Sequence, residues 1–110
     1  MLSDCHVHML LDGDYYKTAI DRHRAAPDEG FIRGTLEAYH RMGYGYLRDG
    51  GDRWGAGARA RELAEEYGIE YRSPLFPIYQ KGHYGGFIGR GFETIEEFRA
   101  LVSEVKQHGG

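Results

Sequence analysis

Three short apolar or aromatic runs divide this chain into similar units, and each run is followed by a glycine-rich or polar loop and an amphipathic segment. The runs cover residues 2–11, 44–47 and 69–79. Because Pro74 and Pro77 cannot donate the backbone hydrogen bonds of a regular ladder, the third strand is predicted mainly over residues 70–76. Strands that alternate with helices favour an α/β fold whose parallel strands are covered by helices. We therefore predict one domain over residues 1–110, with three βα units at about 1–43, 44–68 and 69–110.

Helical periodicity predicts helices over residues 28–42, 54–67 and 94–107, and a shorter one over 14–24. Thr94 and Glu97 have the spacing of a capping box at the start of the last helix. Gly43, Gly68 and Gly109 are placed to end the three longer helices. The residues predicted to face the core are Phe31, Thr35, Ala38, Tyr39 and Met42 in the first, Ala56, Ala60, Leu63, Ala64 and Tyr67 in the second, and Ile95, Phe98, Leu101, Val102 and Val105 in the third.

Composition narrows the class of protein. The formal charge of -3 gives no electrostatic argument for nucleic-acid binding, and no run approaches the length of a membrane span. A single cysteine excludes an internal disulfide framework, and the N-terminus lacks the pattern of a signal peptide, so a cytoplasmic location is expected. Three parallel strands also leave two open sheet edges, which predicts that this chain needs neighbours.

The sharpest motif is Asp4-Cys5-His6-Val7-His8. On a strand, residues two apart point to the same face, so His6 and His8 are expected to project together while Cys5 is buried on the other face. Two imidazoles on one face can bind one divalent metal, and imidazole suits zinc better than calcium or magnesium. The alternative is a pair of solvated or hydrogen-bonded histidines at a strand end.

This motif, followed by Gly45-Tyr46-Leu47-Arg48-Asp49-Gly50-Gly51, resembles the start of the amidohydrolase superfamily of metal-dependent hydrolases. The resemblance implies a (β/α)8 TIM barrel whose first strand carries the His-x-His motif, and the Arg-Asp-Gly-Gly stretch is similar to the end of the second strand in several members. It implies that His6 and His8 bind the more buried of one or two divalent ions, zinc being expected. That ion would activate water, or polarise a carbonyl, for cleavage of an amide, a cyclic amide or a related C–N or C–O bond in a small molecule. Asp49 would be a structural group behind the ligands, or simply a turn aspartate that caps the two glycines.

The resemblance also implies ligands that this chain does not supply: a carboxylated lysine or an equivalent carboxylate, two more histidines and an aspartate. The other histidines do not replace them, because His23 and His40 lie on predicted helices, His83 in a loop and His108 at a helix end. A catalytic zinc needs three protein ligands, so no catalytic residue is predicted within the chain. We expect the N-terminal part of a hydrolase, inactive alone, whose partner is the remainder of the barrel or another copy. The alternative is a non-catalytic assembly or metal-binding module that pairs its open edges with another chain.

The glycine-rich segment 81–92 is longer than the usual strand–helix connection of about 2–6 residues. Loops at the carboxyl ends of barrel strands carry substrate contacts, which makes Lys81, His83, Tyr84 and Arg90 candidates for a mobile substrate loop. A plain surface loop and a phosphate cradle are the alternatives, although the segment lacks a complete phosphate-binding motif.

Overall fold

Three parallel strands form the main sheet of the computed structural model, which describes residues 1–110. The elements, in chain order, are β1 Leu2–Val7, α1 Tyr16–His23, α2 Glu29–Arg41, β2 Tyr44–Asp49, α3 Ala56–Ala64, a 3-10 turn Glu65–Tyr67, β3 Glu70–Arg72, β4 Ile78–Gln80, β5 Arg90–Phe92 and α4 Ile95–Gln107. The strand order of the main sheet is β1-β2-β3, and β4 and β5 form a separate parallel pair. The predicted mixed α/β fold with a parallel sheet and the four predicted helices are thus confirmed.

The main core lies between this sheet and helices α2 and α3. Its ten buried side chains are Val7, Met9, Ile32, Leu36, Leu47, Ala60, Leu63, Ala64, Ile69 and Tyr71. The alanines of α3 are buried as predicted, which lets the helix approach the strands closely. The stripe predicted for α2 is confirmed at Tyr39, which packs against the core. It is wrong elsewhere, because the aliphatic Ile32 and Leu36 occupy the core and Met42, just beyond the helix, is 59% exposed.

The third unit differs from its prediction. β3 ends at Arg72 rather than near Phe76, because Pro74 lacks an amide proton and Leu75 adopts a left-handed backbone with φ of 70°. The chain then forms β4, and the last residues of the predicted loop form β5, which pairs with β4. An isolated two-stranded pair of this size has no core of its own, so it depends on packing by neighbouring elements.

Helix α4 begins with the predicted capping interaction, since the Glu97 amide donates to Thr94 Oγ1 at 3.2 Å. Its predicted buried stripe is wrong at Ile95 and Val102, which are exposed, and Leu101 is its one buried residue. The reason is that α4 packs on the small β4–β5 pair, which is too narrow to cover a whole helix face.

Both edges of the main sheet are open, because β1 and β3 each pair only with β2. Arg48, Glu70 and Arg72 are exposed on the face that the core helices do not cover. Cys5 is exposed as well, so the prediction of a buried thiol is wrong: β1 is an edge strand without a second covering layer. None of the helices combines the length and apolar character needed to span a bilayer.

Candidate functional site

A β-bulge in β1 contains His6, the first residue of the histidine pair. Asp4 pairs with Leu47 and Val7 with Asp49, so β1 uses three residues where β2 uses two. The His6 amide donates to Asp4 Oδ1 at 3.0 Å within this irregular stretch. Bulges interrupt the alternation of a strand and redirect side chains. The directions of Cys5 and His6 therefore do not follow from simple two-residue periodicity.

The structure brings the rings of His6 and His8 together, with centroids 5.3 Å apart and planes inclined at 61°. A metal about 2.0–2.1 Å from an imidazole nitrogen lies about 3.2 Å from the ring centroid, so two rings at a tetrahedral angle would have centroids about 5.2 Å apart. The observed separation meets that requirement. It also suits an edge-to-face contact between two rings.

His8 is held by the Asp-Gly-Gly segment that follows β2. Its Nδ1 lies 3.2 Å from the carbonyl oxygen of Gly51, and this contact requires a proton on Nδ1. Nε2 is then the unprotonated nitrogen of the neutral ring, which is the usual arrangement for a histidine that binds a metal. A Cβ at position 50 would overlap the His8 ring, so only glycine permits this approach. The two sequence motifs therefore meet in space.

Asp49, the last residue of β2, directly precedes the two glycines that contact His8 and is almost fully buried. Its carboxylate accepts hydrogen bonds from the amides of Met9 and Gly51 and from the Tyr71 hydroxyl, and so connects the ends of β1, β2 and β3. Burial raises the pKa of Asp49, although the three donors oppose that rise; burial and the nearby carboxylate also raise the pKa of Tyr71. Asp49 thereby fixes the loop whose Gly51 carbonyl orients His8.

Two buried polar residues nearby, Asp52 and His23, were not singled out from the sequence as site residues. Asp52 accepts hydrogen bonds from the amides of Trp54, Ala56 and Gly57, and so caps α3. An aspartate just before a helical pattern is the signal that could have identified it. His23 is fully buried: its Nδ1 accepts from the Asp28 amide at 2.9 Å, its Nε2 has no partner, and burial lowers its pKa.

The histidines open on two clefts. One, of about 390 Å³, lies between β1 and α2 and includes Asp4, Asp12 and Tyr39. Asp12 is paired there with Arg22 at 2.9 Å. The other, of about 490 Å³, we call the histidine cleft; its lining residues, which come from β1, the end of β2, β4 and the glycine-rich segment, are His6, His8, Gly50, Pro77, Ile78, Tyr79, Tyr84, Gly85, Phe87 and Ile88.

Of the four candidates in the glycine-rich segment, Tyr84 alone lines the histidine cleft. Lys81 and His83 are exposed outside it. Arg90 is paired with Glu104 at 2.6 Å, and its guanidinium lies 4.5 Å from the centroid of the Phe76 ring, so it joins β5 to α4. The structure therefore groups Tyr84 with the histidines and places the other three elsewhere.

The glycines of this segment have a direct packing role around Tyr79. A Cβ on Gly85, Gly86, Gly89 or Gly91 would come within 2.7 to 3.2 Å of the Tyr79 side chain. Glycine at these positions allows the backbone to approach the Tyr79 side chain closely. Contact with an aromatic side chain therefore accounts for these four glycines.

No group of three or more His, Cys, Asp and Glu side chains in the chain is arranged to hold a metal ion. His6 and His8 fit a divalent metal as two ligands of a larger set. No protein-family model matches the chain, and neither the curated proteins nor the solved structures include a match for it. The amidohydrolase resemblance therefore stays a prediction that rests on the two motifs.

Proposed function

We propose that this chain supplies the two-histidine part of a divalent-metal centre, zinc being the expected ion, in a metal-dependent hydrolase of amide, cyclic amide or related C–N and C–O bonds. The observation that carries the proposal is the His6–His8 pair, whose rings have the separation of two ligands of one ion. The hydrogen bond of His8 Nδ1 to Gly51 supports it, because that bond reserves Nε2 for coordination.

A divalent ion bound there would supply Lewis acidity and a water whose pKa falls toward about 7. The chain's own contribution is to aim His8 through Gly51, to keep the strand ends together through Asp49, and to border the site with an aromatic cleft. Two ligands are fewer than a catalytic zinc requires. The remaining ligands would come from the rest of a (β/α)8 barrel or from another copy, and we propose that the chain alone is inactive.

The proposal is tested by zinc titration followed calorimetrically. Wild-type protein is expected to bind one zinc ion, and His6→Ala or His8→Ala should each weaken binding at least tenfold because one of two ligands is lost. His40→Ala is the matched control, since His40 is an exposed histidine on α2 that lines neither cleft. Equal zinc binding by all four proteins would overturn the proposal.

A second candidate is a non-catalytic assembly module. It is favoured by the two unpaired edges of the sheet and by the exposed apolar side chains of Ile95 and Val102 on α4. Sedimentation velocity over a range of concentrations tests it, and a monomer at all concentrations would exclude self-assembly. If the chain does assemble, an unchanged state in a His6→Ala/His8→Ala double variant would show that assembly does not depend on metal.

A further inference from the structure

A continuous series of aromatic rings borders the histidine cleft. Tyr15 and Tyr16 have centroids 5.5 Å apart, Tyr16 and Phe87 6.1 Å, and Phe87 and Tyr84 5.4 Å. These separations and the inclined planes are those of edge-to-face and tilted aromatic pairs. Two segments that are far apart in the chain, the start of α1 and the glycine-rich segment, thus form one aromatic surface.

This surface is open to solvent. Tyr84 is 87% exposed, and Tyr15 and Tyr16 are exposed to 55% and 43%. Tyr16, Tyr84 and Phe87 also line a purely aromatic recess of about 390 Å³, which shares Tyr84 and Phe87 with the histidine cleft. Contiguous exposed aromatic groups are a common property of binding sites.

Neither cavity is lined by an aspartate, glutamate, lysine or arginine. In the zinc-free protein, an ionised group bound among these rings would lose hydration without gaining a counter-charge from a carboxylate, ammonium or guanidinium group. A cation would in addition lie beside the imidazoles, where the proposed metal adds positive charge. The lining therefore favours an uncharged ligand.

The shape of the cleft is defined by the backbone around it. Tyr79 forms a wall of the cleft, and the glycines at 85, 86, 89 and 91 enclose its ring. The Arg53 amide donates to the Ile88 carbonyl at 2.9 Å, which joins the segment to the loop after β2. A wall formed in advance binds a rigid planar ring with little further loss of conformational entropy.

We propose that this aromatic surface binds an uncharged aromatic or heteroaromatic ring of the substrate, so that the bond to be cleaved lies against His6 and His8. The inference rests on the proposed function for the reaction and adds the substrate class. Tyr84 and Phe87 are the residues that contact the ring in this arrangement.

The test is a chemical-shift titration of the zinc-free protein with three probes: benzamide, its saturated counterpart cyclohexanecarboxamide, and the charged benzoate. Benzamide is expected to shift the signals of residues 79–88 and to bind at least fivefold more tightly than the other two. Tyr84→Ala should weaken benzamide binding at least fivefold, while Tyr84→Phe keeps the ring and should leave it unchanged. Met42→Ala removes another exposed apolar side chain, far along the sequence and outside both cavities, and serves as the control.

Equal binding of the three probes, or no effect of Tyr84→Ala, would overturn the inference. So would a self-association that Tyr84→Ala abolishes, since the surface would then be a contact between copies. The two results are distinguishable, because benzamide binding is measured on the zinc-free protein with Tyr84 varied, whereas zinc binding is tested with His6 and His8 varied. If zinc binding does not depend on His6 and His8, the proposed function is wrong. If benzamide binding does not depend on Tyr84, this inference is wrong.

Discussion

His8 receives its orientation from the backbone of the neighbouring strand. The Gly51 carbonyl accepts its Nδ1 proton, and the absence of a side chain on Gly50 leaves room for its ring. The Asp49 carboxylate accepts a hydrogen bond from the Gly51 amide and so fixes the same loop. Three consecutive residues therefore act together on one imidazole.

Gly50→Ala should displace the His8 ring, because the new methyl group would occupy its position. We expect zinc binding to weaken at least tenfold, whereas the free energy of unfolding should fall by only about 0.5–1.5 kcal/mol, because the half-buried His8 ring can turn aside at the cost of leaving its preferred rotamer. Calorimetric zinc titration and denaturant unfolding measure the two effects. Gly34→Ala adds the same methyl group in open space, and a similar loss of zinc binding in that variant would contradict the explanation.

His23 combines full burial with an unusual hydrogen-bond requirement. Its Nδ1 accepts the amide proton of Asp28, so the neutral ring carries its own proton on Nε2. A second proton can bind only at Nδ1, which would break that hydrogen bond. Burial acts in the same direction and lowers the pKa, against the opposing charges of Asp52, Asp28 and Asp12.

This arrangement predicts a loss of stability in mild acid. Below the ordinary histidine pKa of 6.5, the unfolded chain takes up a proton at residue 23 that the folded chain does not. The free energy of unfolding should therefore fall as the pH is lowered from 7 to 5, by up to about 1.4 kcal/mol per pH unit for this one proton.

Urea unfolding at several pH values measures this slope. His23→Asn keeps an acceptor near the Asp28 amide but cannot be protonated, so its stability should be lower at neutral pH and depend less on pH. An identical slope in the variant and the wild type would assign the acid sensitivity to other groups.

Some features of the individual site residues could be predicted from the sequence, and others could not. The closeness of His6 and His8 was expected from their spacing, but the bulge in β1 means that simple strand periodicity does not account for it. Asp49 could be singled out from its strand-end motif. The fit of Gly50 against His8 depends on a tertiary contact between segments that the sequence pattern does not connect. His23, in contrast, is buried on the side of its helix that carries Ala19 and Ile20, as their spacing indicates. The exposure of Cys5 was mispredicted because a sheet with an uncovered face departs from the usual burial of parallel strands.

At the scale of elements, local signals predicted the helices well. Asp28 and Thr94 accept the capping hydrogen bonds expected of such residues, from Phe31 and Glu97. The strands were predicted less completely, because Leu75 enters a left-handed conformation that an apolar run does not indicate. The β4–β5 pair was missed since strands of three residues carry almost no periodicity.

Substitution by alanine should change the free energy of unfolding in opposite directions at Gly34, within α2, and at Gly55, just before α3. Gly34 lies in α2, where an added methyl group would have no other atom within 4 Å, so Gly34→Ala should raise the free energy of unfolding by about 0.5–1 kcal/mol. Gly55 precedes α3 with φ of 90°, so Gly55→Ala should lower it by about 1–2 kcal/mol through backbone strain. Thermal or denaturant unfolding compares them, and a change of the same sign in both would contradict this account.

At the scale of the whole molecule, the buried apolar groups are unevenly distributed. Ten of them lie around the main sheet, while a second cluster of four, Leu10, Ile20, Ala56 and Ile88, joins α1 to the glycine-rich segment. Helix α4 belongs to neither cluster. It is held by Leu101, by the Arg90–Glu104 pair and by hydrogen bonds from Arg61 to the carbonyls of His108 and Gly109.

This distribution predicts two levels of local stability. The amides of β2, which is paired on both sides, should exchange with solvent most slowly. Those of α4 should exchange at least tenfold faster than β2, because this helix can open without disrupting the main core. Hydrogen exchange followed by NMR measures the difference, and equal protection in α4 and β2 would contradict it.

The enclosure of Tyr79 determines where binding preference can be altered. A Cβ at 85, 89 or 91 would come within 3.0 Å of a neighbouring atom, so these three positions tolerate little diversity, and at 86 it would come within 3.1 Å of the Tyr79 hydroxyl. Tyr84 and Phe87, which lie beside them in sequence, project into the clefts and have no such restriction. A library of variants built to change ligand preference should therefore randomise residues 84 and 87 and leave the glycines unchanged. The glycines set the path of the backbone, whereas the side chains at 84 and 87 can vary without altering it.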